Sequence, residues 1–174
     1  MRTLEAAGLA LEPQTVAHAA EMFAVLSDPA IYTYENEPPR SLDWLRTRFA
    51  KLESRASADG HEQWLNWVVR LPTSELAGYV QATVRDDGSA LIAYEFASAH
   101  WGRGLAFVAT QAMISELVAR YGVHTLFAVA KRENVRSHRL LERLGFARAD
   151  PARHAPLGVL PDEVLMWRTI GADG

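Results

Sequence analysis

The sequence predicts an α+β fold, a mixed and mostly antiparallel sheet with helices on both faces. Three observations carry that expectation. Strand-like runs at 64–71, 78–85 and 90–98 follow one another across short polar turns, so they read as an antiparallel meander. A helical run at 107–121 then leads to 125–130, a continuously apolar segment of the kind buried on both faces of a sheet. Strand, helix and strand from Ala90 to Ala130 thus suggest a right-handed crossover to a parallel partner. Finally, 174 residues with 49% hydrophobic and 22% charged content suit one soluble domain with a sizeable core, spanning 1–174.

Each element has its own signal. Residues 8–11 form a short apolar patch ended by Pro13, read as a first strand. Val16, Ala20, Phe23 and Leu26 recur at helical spacing, and Ser27-Asp28-Pro29 stops them. After the breaker Pro38-Pro39, Ser41 is a good N-cap for a helix presenting Leu42, Leu45, Phe49 and Leu52 on one face. Residues 54–60 are small and polar, hence a loop. Pro72-Thr73-Ser74 and Asp86-Asp87-Gly88-Ser89 mark the turns of the meander. Met113 or Ile114, then Leu117, Val118 and Tyr121 mark the helix that Gly122 ends. Asn134 caps the next helix, with Leu140, Leu141 and Leu144 inward, Gly145 at its C-terminus and Phe146 packing back. Residues 163–170 read as the last strand.

Composition narrows the function. Net charge is −3 and pI about 6.1, whereas nucleic-acid binders are usually basic, so no nucleic-acid partner is expected. The chain has no cysteine, which excludes disulfides, thiolate metal sites and a cysteine nucleophile, and is compatible with a cytoplasmic location. No run of about 18 apolar residues suggests a membrane span, and the first eleven residues do not read as a signal peptide. None of the six histidines pairs with another at metal-ligand spacing, so no metal is expected.

The chemistry starts at Trp101-Gly102-Arg103-Gly104-Leu105-Ala106, between a strand and a helix. Glycines there allow close backbone approach, and a helix N-terminus adds a dipole that favours anions, which suits a phosphate-bearing ligand. A tight turn with no ligand would use the same glycines. A nucleotide-triphosphate loop is excluded, because Leu105-Ala106 stands where Lys-Ser or Lys-Thr is needed. A dinucleotide fingerprint is excluded, because Phe107 occupies the third small position.

This loop resembles the acetyl-CoA pyrophosphate loop of the GNAT (Gcn5-related) N-acetyltransferases, whose pattern is Gln or Arg, two residues, Gly, any residue, then Gly or Ala. The segment Asn134-Val135-Arg136-Ser137, closing with Leu144-Gly145-Phe146, is similar to that family's second signature. The opening 9–34, with Ser27-Asp28-Pro29, is similar to the ribosomal-protein (RimJ/RimL-like) branch. The resemblance implies the acyl-CoA N-acyltransferase fold and direct transfer of acetyl from acetyl-CoA, as co-substrate, to a primary amine. The acceptor would be a protein N-terminus or a small molecule such as a polyamine, an aminoglycoside or an amino-acid-like amine.

It also implies roles. Trp101, Gly102, Arg103, Gly104, Leu105 and Ala106 would bind the pyrophosphate. Main-chain groups of Phe96, Ala97 and Ser98 would line the pantetheine arm and polarise the carbonyl. Asn134 would contact the cofactor as well as cap its helix. Ser137 would lie near the thiol as proton donor or water holder, or would only bond the backbone. Glu95 would accept the amine proton, or would be a salt-bridged strand glutamate. Three positions depart from the family: Leu141 replaces its tyrosine acid, Val108 an acidic residue, and Trp101 the Gln or Arg, for which Arg103 would compensate. Tyr32, Tyr34, Glu35, Trp64 and Trp67 would border the acceptor cleft, with 151–161, carrying Arg153 and His154, as a substrate-side loop. His100 adjoins the phosphate loop but more naturally stays exposed. A homodimer is possible. The alternative classes are a non-catalytic acyl-CoA-binding or sensor domain and an interaction domain that binds neither.

Overall fold

A computed structural model describes residues 1–34, 36–150 and 157–171. Strands β1 (Leu4–Ala6) and β2 (Leu9–Pro13) lead to α1 (Ala19–Leu26) and α2 (Leu42–Leu52). Strands β3 (Glu62–Arg70), β4 (Leu76–Arg85) and β5 (Ser89–Phe96) form the meander. Then come α3 (Leu105–Tyr121), β6 (Thr125–Lys131), α4 (Val135–Arg143), β7 (Ala147–Arg148) and β8 (Glu163–Thr169). They form one eight-stranded sheet in the order β1-β2-β3-β4-β5-β6-β8-β7, antiparallel everywhere except between β5 and β6. No described helix is long and apolar enough to cross a membrane.

The core follows strand alternation. Trp67 joins a large cluster with Val80, Ile92, Met113, Leu117 and Leu141, whereas its neighbour Val68 joins Met22, Leu26, Leu45 and Phe49. Adjacent strand residues point to opposite faces, so α1 and α2 cover one face and α3 the other. Ser41 caps α2 as expected, its hydroxyl accepting from Trp44 N at 3.1 Å.

The sequence reading needs several corrections. The strand at 8–11 is the second of a hairpin, because β1 has only three residues and no turn signal besides Ala7-Gly8. Residues 16–18 are a 3₁₀ turn, and α1 buries Ala19, Met22 and Leu26 rather than Ala20 and Phe23; the tighter turn shifts the helical phase. β6 is not equally buried on both faces. Leu126, Ala128 and Ala130 are buried, but Thr125, Phe127 and Val129 are only partly covered, and Ala128 and Val129 line an opening in the sheet. Short β7 had no signal. The expected loop at 151–161 lies mostly outside the described residues, as do Arg153, His154 and Glu35.

That opening is the feature that positions the site. β5 and β6 pair only at Ser89↔Thr125, Ala90↔Leu126 and Leu91↔Phe127. Beyond them the strands part, β5 staying on β4 and β6 on β8. Gly78 holds the end of β5 to β4. A Cβ there would sit 2.1 Å from the Glu95 carbonyl oxygen and 2.8 Å from Phe96 Cα.

Gly78→Ala is therefore expected to cost about 1–3 kcal/mol, as overpacking does, read as a lower midpoint in urea denaturation.

Candidate active site

A cleft of about 970 Å³ opens where β5 and β6 separate. It is lined by the ends of those strands, the starts of α3 and α4, and the α1–α2 side of β4.

The glycine loop forms one wall. Gly102 and Gly104 have φ of 74° and 77°, the left-handed region that an L side chain resists, and a Cβ at either would meet no other atom within 4 Å. Gly104 is the N-cap of α3 and no side chain caps it. The first helical bond runs from Val108 N to Gly104 O, so the amides of Leu105, Ala106 and Phe107 have no partner within the helix. Trp101 does not leave the wall without a cation: the Arg136 guanidinium lies 3.7 Å from its ring centroid. Arg136, from the first turn of α4, is a residue the sequence reading missed. Arg103 donates instead to His100 Nδ1 at 3.2 Å, which makes His100 a partly buried partner rather than an exposed neighbour of the loop.

Backbone donors narrow to one. Ala97 N donates to Ala77 O at 3.0 Å, and Ser98 N donates to Asp28 Oδ2 at 2.6 Å. Both N–H groups are thus committed inside the protein. Ala77 and Ala97 form a hydrogen-bonded antiparallel pair, so the adjoining Gly78↔Phe96 pair is of the other type. The Phe96 N–H therefore faces away from β4, toward the opening. The Phe96 carbonyl, on the same edge, accepts from Trp101 Nε1 at 2.8 Å.

Glu95 projects to the α1–α2 side. Asn36 Nδ2 donates to its Oε1 at 3.0 Å, and the buried Tyr79 hydroxyl also hydrogen-bonds it. Burial pushes the Glu95 carboxyl above the ordinary carboxylate range, opposed by those two hydrogen bonds and the charge of Arg48. Burial and the Glu95 charge in turn raise the Tyr79 and Tyr32 hydroxyls well above the usual tyrosine value, so both stay protonated donors. Of the aromatic residues expected at the acceptor side, Tyr32 and Tyr34 line the cleft with Trp44. Trp67 is fully buried, with Nε1 donating to Arg2 O at 2.9 Å, and Trp64 stacks under Lys51; neither borders the cleft. Asn36, Arg48 and Tyr79 were missed, because their meeting with Glu95 joins segments far apart in the chain.

The start of α4 forms the opposite wall. Asn134 Oδ1 accepts from Ser137 N at 3.1 Å, so the cap reading holds, and both side chains line the cleft. The Ser137 and Tyr94 hydroxyls share a hydrogen bond of 2.8 Å. Leu141 is 1% exposed and belongs to the core, although it touches the cleft wall. Among the described residues, no group of three or more His, Asp or Glu side chains could hold a metal.

These groups fit a long anionic thioester. The cleft lining brings together uncapped helix amides, the arginines Arg136, Arg139 and Arg143, an unpaired strand edge and a protonatable carboxyl. The amides and arginines are able to take phosphates, the edge an amide-bearing arm and the carboxyl an amine.

Comparison with known proteins gives the family and the fold. A family model described as an acetyltransferase (GNAT) domain matches residues 9–147. No curated protein matches the sequence. Among solved structures, the chain is similar to RimL, a ribosomal alpha-N-protein acetyltransferase in complex with coenzyme A. The TM-score is 0.83 at 16% identity, over 98% of this chain and 99% of that one. It is similar to a GNAT-family acetyltransferase from Bacillus anthracis, with a TM-score of 0.74 at 18% identity, over 96% and 98%. A spermidine N-acetyltransferase SpeG chimera from Vibrio cholerae and hSSAT gives 0.74 at 20% identity, over 94% and 96%. At these identities the structural likeness establishes the fold.

The raised Glu95 value carries a stability signature. Its ionised form is favoured more in the unfolded chain, so the folded state loses stability as pH rises from the unfolded value, about 4.3, through the folded one. Glu95→Gln keeps the shape without the charge. It is expected to be more stable than wild type at neutral pH, with the gain fading below about pH 4, as measured by urea denaturation at the two pH values.

Proposed function

This chain belongs to the GNAT acetyltransferase family, and on that premise we propose how its cleft divides the work of acetyl transfer and which amines it accepts. It is an acetyl-CoA-dependent N-acetyltransferase. Acetyl-CoA supplies an activated acetyl group as a thioester. The family match lends no support to a non-catalytic binding domain.

In our reading residues 1–174 act as one domain, and the amides at 102–106 together with Arg136 hold the pyrophosphate. Oriented N–H groups at a helix N-terminus favour an anion without a positively charged lysine. The Phe96 N–H polarises the acetyl carbonyl, a donor placed where negative charge develops. Glu95 takes the proton from the incoming amine, directly or through a water. Its raised value suits that task, because a base works best when its own value approaches the working pH. Asn134 fixes the first turn of α4, so that Ser137 faces the departing sulfur.

The acceptor side supports a primary amine carried on a polar or apolar body rather than on a chain of cations. Among the described residues that line this side, the carboxylates are Glu95 and Glu37, and Arg48 lies close enough to influence Glu95. Tyr34 and Trp44 are 40% and 42% exposed there and offer flat apolar surface. Arg48 adds like-charge repulsion for every further ammonium an acceptor carries, so a protein N-terminus or a small molecule with one amine meets less of it than a polyamine. The lack of cysteine fits a cytoplasmic setting.

The observation that carries this reading is that one cleft holds both the uncapped N-terminus of α3 and the buried carboxyl of Glu95. Calorimetry with acetyl-CoA is expected to show binding to wild type and none to Gly104→Glu, whose side chain enters open space beside the phosphate wall. Circular dichroism should show both folded. Glu95→Gln should still bind acetyl-CoA while kcat falls by about 10²–10⁴-fold. Failure of wild type to bind at millimolar acetyl-CoA would contradict the reading.

A further inference from the structure

Tyr94 precedes Glu95 on β5, so alternation sends its side chain to the opposite sheet face. The ring packs against the larger core cluster, and the hydroxyl crosses to α4. There it lies 2.8 Å from Ser137 Oγ and 3.5 Å from the Ser137 carbonyl oxygen. Both residues line the cleft. Ser137 is itself fixed, because its N–H is held by Asn134 Oδ1 at 3.1 Å.

A serine alone is a poor acid at neutral pH. Leu141, where the family resemblance expects a tyrosine acid, is a core leucine with no proton to offer. The cleft nevertheless contains a tyrosine hydroxyl, delivered by a strand instead of by α4.

We propose that Tyr94 is the positioning residue that makes Ser137 a proton donor to the departing sulfur. The inference rests on the acetyl-transfer reading of the cleft. Tyr94 Oη donates to Ser137 Oγ, which turns the serine's own proton into the cleft. As the N–C bond forms and the C–S bond breaks, sulfur takes the Ser137 proton and Ser137 Oγ takes the proton of Tyr94. Tyr94 is then reprotonated from water, while the proton lost by the amine leaves through Glu95 to solvent. Protons and charge therefore balance over the turnover. With Tyr94 gone, the Ser137 hydroxyl is free to turn to a backbone carbonyl, as serines at helix starts do.

The test compares Tyr94→Phe, Ser137→Ala and the double variant, with Ser137→Thr as the conservative control. Phenylalanine keeps the packed ring, so thermal melting should match wild type. For Tyr94→Phe, kcat is expected to fall at least about tenfold while KM for acetyl-CoA stays within about twofold. The double variant should lose no more than Ser137→Ala, and Ser137→Thr should keep most of the activity. A binding readout accompanies the kinetics. By calorimetry, wild type should prefer CoA over an analogue lacking the sulfur, and Tyr94→Phe should lose that preference. A kcat for Tyr94→Phe within about twofold of wild type, or single losses that multiply in the double variant, would overturn the proposal. If wild type binds neither CoA nor its analogue, the acetyl-transfer reading fails as well, an outcome distinct from binding that is intact with no loss in kcat.

Discussion

The parting of β5 from β6 after three paired residues is the constraint on which the rest of the molecule depends. Each strand keeps its outer partner beyond that point, β4 for one and β8 for the other, so the sheet does not fray. The end of β5 is held on the far side by several anchors at once. Gly78 allows backbone contact closer than any side chain would permit, Ala97 bonds to Ala77, and Asp28 takes the Ser98 amide. What remains on the near side is a strand edge whose Phe96 N–H lacks a β6 partner. A buried backbone donor without a partner is costly, and an amide-bearing ligand laid along the edge removes that cost. The cleft is in this sense a missing piece of sheet.

Electrostatics divides the same cleft into two ends. At one end the α3 N-terminus and Arg136 on Trp101 make a positive wall suited to phosphates. At the other, a carboxyl is held partly out of water with Tyr79 and Asn36 donating to it. The burial that raises Glu95 costs stability at neutral pH, and the hydrogen bonds limit that cost without cancelling it. In the proposed mechanism thiol-side and amine-side proton chemistry fall on opposite faces of β5, because Tyr94 and Glu95 are neighbours in an alternating strand. In that reading strand geometry alone separates the donor of one proton from the acceptor of the other.

The sequence carried the punctuated and periodic parts of the fold. The meander, the glycine loop opening α3, the Gly122 stop and the Asn134 cap were legible because each depends on residues close in the chain. Helix phase in α1 was misjudged because a 3₁₀ turn precedes it, and β1 and β7 are too short to alternate visibly. The separation of β5 from β6 was invisible, since pairing is a long-range property and both strands look continuous. In the candidate site, Glu95, Ser137 and the loop were legible from motif and position. Their partners were not: Asn36 and Tyr79 reach Glu95 from elsewhere in the chain, and Asp28 reaches Ser98 across 70 positions. The local sequence also placed Ala97 and Ser98 beside Phe96 as equals, and only the tertiary hydrogen bonds distinguish them.

That distinction gives the most direct measurement of the central claim. Amide hydrogen exchange resolved to single residues, with and without CoA, reads the three adjacent N–H groups separately. Ala97 and Ser98, already bonded to Ala77 and Asp28, should be protected in the free protein and little changed by CoA. Phe96 should exchange faster in the free protein and become protected when CoA binds. Protection of Phe96 in the free protein, or no change on saturation with CoA, would contradict the claim that the parted edge of β5 is where the co-substrate lies.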